Sequence, residues 1–510
     1  MKRILSIFLV LFLLSGTLFS FTTSKIVEDN GKKCLNGQHI DEDNDDYCDG
    51  CEEYVVVVID FYAVNDLHGK FCNTDSQNGV YTLSSYLKKM EETDDNVVIL
   101  SSGDMWQGTA ESNLSRGHLV TEWMNEMGFV SMTLGNHEFD WGEAAIESNL
   151  EISEFPFLAI NIYDNETGKL ADYCTPSIMV ELDGIQIGII GAIGDCYSSI
   201  SKDKVEGVHF KVGSELTSLV KAESERLRDA GADLIVYSLH DGHESNSSGE
   251  RVISSSNLQK YYSPSLSNGS VDVVFEAHTH KYYNLVDVNG VHHLQGGGEN
   301  SGISHVEIAV NSANGNHRVT ESGYVNSSVY KNFNDDEETL ALEEKYSEII
   351  DYAFSPIGTV SQYYDDSVLE DKVAELYLEA GIEKWGDDYD IVLGGGFLRT
   401  RAPYNLKGGT VTYANLLSLL PFDNEIVLCK ISGNKLLSRF VNNSSSDYHV
   451  FYSLYGENII DEILPSETYY VIVDSYTAFY AYNGLTIVDY YDYETYARDL
   501  VAEAVKNGDI

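Results

Sequence analysis

Positive charge is scarce in this chain. Its 510 residues hold 32 lysines and arginines against 81 aspartates and glutamates, a net charge of −49. A surface of that sign repels polyanions, which opposes a nucleic-acid duplex as partner. Solubility is the simplest use of so much acid. Long apolar runs are also scarce: after the N-terminal one, no second stretch approaches the ~20 residues that a spanning helix needs. Cysteine is sparse, with 7 in all, and Cys72, Cys174, Cys196 and Cys429 are scattered as buried apolar residues would be. Internal repeats and low-complexity tracts are missing. What is present is a hydrophobic content of 43% and enough length for two or three domains with a large core.

The N-terminus has the pattern of an export signal. Lys2-Arg3 precede an apolar run from Ile4 to about Phe19, and a small, polar stretch, Ser20 to Ser24, follows. Residues 1–24 read as a cleaved signal peptide, because the apolar core is short for an anchor. No cysteine follows at once to carry a lipid, and Lys506 to Ile510 carry no anchor, so a soluble protein outside the cytoplasm, secreted or at the cell surface or periplasm, is expected. Residues 25–53 form a second unit, in which Cys34, His39, Cys48 and Cys51 follow the spacing C-x4-H-x8-C-x2-C, with Asp41, Asp43, Asp45 and Asp46 between them. Three thiolates and an imidazole satisfy tetrahedral zinc; a disulfide among the same cysteines is the alternative. Either way the segment is too poor in apolar residues to build a core and reads as a stapled knuckle.

Five runs rich in β-branched and aromatic residues follow, and each ends in a polar motif. Tyr54–Val64 leads into Asn65-Asp66-Leu67-His68-Gly69, and Asn96–Ser101 into Gly103-Asp104-Met105. Val130–Leu134 leads into Gly135-Asn136-His137-Glu138-Phe139-Asp140, Leu234–Leu239 into His240-Asp241-Gly242, and Val271–Glu276 into Ala277-His278-Thr279-His280. Helical stretches, Thr82–Glu92 and Gly213–Ala230, lie between them. Any one of these motifs alone is an ordinary polar loop. Five in order, each at a strand end, are the way rigid strands present functional loops. Asp, His and Asn side chains suit a pair of hard or borderline divalent cations. Such a pair needs a bridging carboxylate, and Asp104 is the natural candidate. Asp66 and His68, two apart, would project to one side of an extended segment and share one ion.

Together these segments resemble the calcineurin-like metallophosphoesterases, and most closely the secreted 5'-nucleotidase family. The resemblance runs from about Tyr54 to Asn507. It implies an α/β (α+β) architecture: a four-layer β-sandwich flanked by helices over 54–332, a helical linker over 333–353, and a smaller α/β substrate-binding domain over 354–510. It implies two divalent ions (Zn, Mn, Co or Fe), one held by Asp66, His68 and His280 and the other by Asn136, His240 and His278, with Asp104 bridging. His137, oriented by Asp140, would stabilise the phosphoryl transition state. Ala277 stands where the family usually has glycine, and His243 carries no ligand role and reads as a supporting or surface residue.

In the second domain, Gly394-Gly395-Gly396-Phe397-Leu398-Arg399 resembles the family's Gly-Gly-Gly-Ile-Arg element, and Leu420-Pro421-Phe422-Asp423-Asn424 its Leu-Pro-Phe-Gly-Asn element. Substrate contacts are therefore expected from Gly395, Gly396, Arg399, Arg401 and Asn424, because glycines admit a ligand to the backbone and arginine forks phosphate oxygens. Of the family's two base-stacking rings, Tyr448, Phe451 or Tyr452 would supply the first. Leu485 stands where the second belongs, with Phe479, Tyr480 and Tyr482 near it in sequence.

The activity this implies is hydrolysis of nucleoside 5'-monophosphates by metal-activated water. Nucleotide sugars, di- and triphosphates and 2',3'-cyclic nucleotides are further substrates of the family. The missing ring keeps two alternatives open: the same metal chemistry on a non-nucleotide ester, such as a thiosulfate ester, and a surface binding protein on a degenerate scaffold. Intact ligands oppose the latter. The charge and the export signal oppose a DNA nuclease. Partners other than a nucleotide are not indicated, and no stable membrane insertion is expected after signal cleavage.

Overall fold

The structure is a computed structural model that describes residues 46, 55–74, 78–243, 269–364, 366–396, 406, 408–441, 450–453, 462–481, 484–492 and 495–510. The expected signal peptide and the knuckle residues Cys34, His39, Cys48 and Cys51 lie outside the described residues. In chain order the strands are β1 (Val56–Val64), β2 (Val97–Ser101), β3 (Ser131–Thr133), β4 (Phe157–Leu158), β5 (Ile162–Asp164), β6 (Ser177–Leu182), β7 (Ile185–Ile193), β8 (Val208–Phe210), β9 (Leu234–His240), β10 (Val273–Glu276), β11 (Tyr282–Val286), β12 (His292–Gly296), β13 (Gly302–Asn311) and β14 (His317–Asn326). They build two six-stranded sheets, β14-β13-β1-β2-β3-β4 and β11-β12-β10-β9-β7-β6, and a small pair, β5-β8.

The apolar runs explain why the central strands β1 and β9 are buried on both faces. Along β1, Ile59, Phe61 and Ala63 enter the core between the two sheets, whereas Tyr62 and Val64 pack among residues of the helices Tyr81–Thr93 and His118–Glu126. Along β9, Leu234 and Val236 enter the same inter-sheet core, and Ile235, Tyr237 and Leu239 pack with Leu216, Val220 and Leu227 of the helix Ser214–Asp229. Alternate side chains thus serve different cores, which is why such strands read as unbroken apolar runs rather than as alternating ones. The layers run helix, sheet, sheet, helix. β1, β2 and β3 pair in parallel, as do β9 and β10, so each set delivers its C-terminal ends to one edge.

The helical linker expected over 333–353 is two helices, Glu337–Lys345 and Ser347–Phe354, with a break at Tyr346. Asp336 caps the first by accepting the Thr339 amide at 2.9 Å, and it also pairs with Lys88 at 2.7 Å. The segment is packed: Leu342 and Ile350 join the first core, and Ala353 meets Tyr413 and Leu417. Beyond it lie β15 (Pro356–Val360), β16 (Ile391–Gly396), β17 (Gly409–Thr412), β18 (Ile426–Ser432), β19 (Val450–Ser453), β20 (Thr468–Asp474) and β21 (Thr486–Tyr490). Five of them form the sheet β19-β16-β20-β18-β21, and β15 pairs with β17. The helix Asp366–Trp385 covers the larger sheet so closely that a Cβ on Gly394 would fall 2.5 Å from the Leu378 nitrogen. Of the scattered cysteines, Cys72, Cys196 and Cys429 are buried and Cys174 is half-buried.

Candidate metal centre

Five strand ends from two sheets converge. Asp66 and His68 follow β1, Asp104 follows β2, Asn136 follows β3, His240 ends β9, and His278 and His280 follow β10. Asp66, His68 and His280 offer donor atoms within 4.8 Å of one another, as do Asp66, Asp104 and His240, and as do Cys196, His240 and His278. His68 Nε2 lies 3.0 Å from His280 Nε2, and His280 Nε2 lies 3.4 Å from Asp66 Oδ1. His240 Nε2 lies 3.1 Å from Asp104 Oδ2 and 3.2 Å from Asn136 Oδ1. Donors held about 3 Å apart have the spacing of neighbouring ligands on one ion with bonds of ~2.1 Å.

The residues fit divalent ions on a second count. Asp104 Oδ1 accepts the His137 amide at 2.8 Å, while its buried Oδ2 faces His240 Nε2 at 3.1 Å, itself a candidate ligand, without good hydrogen-bond geometry. A buried carboxylate oxygen without a well-placed donor is costly, and a cation relieves that cost. Burial, joined by the charge of His137, holds the His68 imidazole down to about 3; burial and His240 hold His278 down to about 4. Both are therefore neutral and able to ligate at pH 7. Burial disfavours charge on His240 too, but Asp104, Asp66 and Glu138 outweigh it and push the group up to about 10. A cation binding there would displace that proton.

The backbone around the ligands is strained. Asp66, His68, Asp104, His278 and His280 have φ of 49°, 51°, 55°, 66° and 52°. Side-chain-bearing residues rarely adopt such angles, and they persist where the surroundings over-determine them. Asp66 and His68 are therefore not on an extended segment. They share a donor group because the amides of Asp66, His68 and Gly69 bond to the carbonyls of Gly103, Asp104 and Met105 at 2.9, 3.0 and 2.9 Å, which fixes one loop against the other. Ala277 is not among the positive-φ residues, so its methyl group meets no such strain.

A supporting layer orients the ligands. The Nδ1 atoms of His68 and His240 bond to the carbonyls of Gln107 and Ser102 at 2.8 and 2.7 Å, which leaves each Nε2 for a metal. Glu138 accepts the amides of Asp104, Met105 and Gly135 at 2.9, 2.7 and 2.7 Å. Burial and the neighbouring Asp104 raise its carboxyl to about 7. Gly135 is required here, since a Cβ would stand 2.3 Å from Asp104 Oδ1. Beneath the centre, Ser238 of β9 joins the two sheets through Thr133 at 2.7 Å and Ser102 at 3.1 Å.

Comparison with known proteins agrees with this geometry. Residues 59–282 match the calcineurin-like phosphoesterase family. An apyrase of Tabanus yao is 24% identical over 431 residues, covering 77% of this chain and 74% of the relative. A 5'-nucleotidase of Diplobatis ommata is 25% identical over 424 residues, covering 74% and 69%. A solved 5'-nucleotidase precursor of Thermus thermophilus superposes with a TM-score of 0.62 at 17% identity, over 88% of this chain and 96% of that one. The chain therefore carries a calcineurin-like phosphoesterase domain over residues 59–282, and 5'-nucleotidases are among its relatives.

The phosphoesterase domain and these relatives support a metal-dependent phosphoester hydrolase. The remaining residues expected from the 5'-nucleotidase resemblance are placed as follows. His137 Nδ1 lies 2.9 Å from Asp140 Oδ2, and the His137 ring stands 5.1 Å from the ring of His68. Gly395 and Gly396 are buried on β16, and a Cβ on Gly396 would meet Thr477 Oγ1 at 2.5 Å, so packing alone requires that glycine. Phe451 sits on β19 opposite Gly395 in register. Asn424 is half-buried just before β18. Arg399, Arg401 and Tyr448 lie outside the described residues. Leu485 is half-buried and packs against the core that includes Val427, Cys429 and Val473, so it faces protein rather than open space.

Several residues of this candidate site have no role assigned from sequence. Phe422 lies nearly parallel to the His137 ring, with centroids 6.3 Å apart and planes at 13°. Gln107 Nε2 donates to the Pro421 carbonyl at 3.1 Å. Asp423 takes Arg116 of the first domain at 2.5 Å and also pairs with Arg498. Glu138 and Phe422 stood inside quoted motifs, and that position was the available signal; Arg116, Gln107 and Arg498 had none. His243, expected as a supporting or surface residue, is 1% exposed and therefore not on the surface.

Proposed function

We propose that this chain is an exported phosphohydrolase that uses two divalent ions to release phosphate from nucleoside 5'-monophosphates, with nucleotide sugars, di- and triphosphates and 2',3'-cyclic nucleotides within reach. The carrying observation is the convergence of Asp66, His68, Asn136, His240, His278 and His280 around Asp104, whose buried Oδ2 faces His240 Nε2 at 3.1 Å. Asp104 would serve as the shared ligand, with Asp66, His68 and His280 to hold one ion and Asn136, His240 and His278 the other. When bound, such a pair supplies an activated water and neutralises charge on the phosphoryl group.

The chain's own residues do the rest. Asp140 holds His137 at Nδ1, so Nε2 is the atom that faces the phosphoryl oxygens and the leaving oxygen. Phe422 lies parallel to that imidazole with ring centroids 6.3 Å apart, so the second domain reaches the same edge of the site. The cations provide the local positive centre that lets a nucleotide approach a chain of net charge −49. Among the described residues no helix is long and apolar enough to cross a membrane, and the signal pattern of residues 1–24 supports export.

One observation favours a second reading. With Leu485 packed into protein, the second stacking ring is missing at that position, and a base stack is worth roughly 1–3 kcal/mol. Metal chemistry on a non-nucleotide ester follows if no other ring replaces it. The test is phosphate release from AMP, UMP, UDP-glucose, a 2',3'-cyclic nucleotide and an aryl phosphate, with thiosulfate-ester cleavage measured alongside. AMP well above aryl phosphate supports the nucleotide reading. Equal rates discard it and keep the metals.

A further inference from the structure

We propose that His243, Glu276 and His293 form an additional metal site, buried behind the paired-ion centre, which takes one divalent transition ion of the zinc type. The three residues come from adjacent strands of the second sheet: His243 follows β9, Glu276 ends β10 and His293 lies in β12. Their donor atoms lie within 4.8 Å of one another, and the residues are only 1%, 1% and 0% exposed. His243 Nε2 is 3.3 Å and His293 Nδ1 is 2.9 Å from the same oxygen, Glu276 Oε1. Neighbouring donors on a tetrahedral zinc ion with bonds of ~2.0–2.1 Å stand about 3.3 Å apart.

A proton does not satisfy this cluster as well as a cation would. One proton on His293 Nδ1 serves Glu276 Oε1, but the buried His243 faces that oxygen from Nε2 at 3.3 Å without good hydrogen-bond geometry, and its Nδ1 makes no hydrogen bond. An unmade bond on a buried imidazole is costly. A cation facing His243 Nε2, His293 Nδ1 and Glu276 Oε1 uses all three donors. The outer partners are those of a metal site. Asp287 Oδ2 stands 3.9 Å behind His293 at Nε2, and the Tyr283 hydroxyl donates to the other Glu276 oxygen at 2.6 Å. Two histidines and a carboxylate suit zinc and its first-row neighbours. Full burial makes the role structural: the ion would pin the ends of β9, β10 and β12, and with them the loops that carry His240 and His278.

The test is metal content of the purified full chain, grown with zinc and dialysed against a weak chelator, measured by mass spectrometry. His293→Gln and Glu276→Gln are each expected to lower the ion count by one per chain, with circular dichroism unchanged. The difference is independent of whatever the N-terminal cysteines hold. A zinc-edge anomalous map of the parent crystal is expected to show a peak bounded by these three side chains. Unchanged counts, or a map without that peak, overturn the proposal, and the map decides if a variant fails to fold. Asp104→Asn separates the two assignments: if it leaves the count intact while His293→Gln lowers it, the paired-ion reading fails and this site stands.

Discussion

The two halves of the chain hold their functional residues in different ways. In the first, every expected metal ligand follows or ends a strand buried on both faces, and five of them hold strained backbone angles under cross-loop hydrogen bonds. In the second, Gly394 and Gly396 of β16 are explained by packing against the helix Asp366–Trp385 and Thr477, and the Leu-Pro-Phe-Asp-Asn loop is held by Gln107 and Arg116 of the other half and by Arg498 of its own. The contrast follows from the chemistry. Metal ligation tolerates errors of tenths of an ångström, so the fold must over-determine it. A substrate surface can be assembled from loops whose position is set by a partner domain.

Asp104→Asn tests the first half most severely. It should remove both ions together and lower phosphate release by about 10³-fold or more, read by metal analysis and turnover. Loss of one ion only would end the bridging role. His137→Ala should keep both ions and lower kcat by about 10²–10⁴-fold. Loss of metal would reassign it as a ligand.

The interface between the halves should respond asymmetrically. Asp423→Ala leaves the 4% exposed Arg498 without its carboxylate, and thermal unfolding should register a loss of about 3 kcal/mol. Arg116→Ala removes a pair with a 40% exposed guanidinium and should cost under about 1 kcal/mol. Equal losses would mean that Arg116, not Arg498, anchors the loop. Leu485→Ala should be milder than the ~2–5 kcal/mol of a fully buried leucine, near ~1 kcal/mol, with KM for AMP unchanged. A raised KM would place that side chain at the base.

The strands of the first half, and the meeting of candidate ligands at their ends, were legible because the signals were dense: five apolar runs, each ending in Asp, His or Asn. Their boundaries moved little; the run expected at Asn96–Ser101 is β2, Val97–Ser101. Backbone conformation was not legible, since nothing in Asn65-Asp66-Leu67-His68 announces a left-handed turn imposed by the Gly103–Met105 loop. Nor was the helix break at Tyr346, or the burial of His243, which depends on β12 arriving fifty residues later. Arg498 lies 75 residues from Asp423, and only the fold joins them.

Chelation of the full chain, followed by addition of Mn or Zn and an assay of phosphate release from AMP, tests the central claim most directly. The expected result is loss of release on chelation and its return with metal in the parent chain, with no return in Asp104→Asn. Full release from the chelated, metal-free chain would contradict the account.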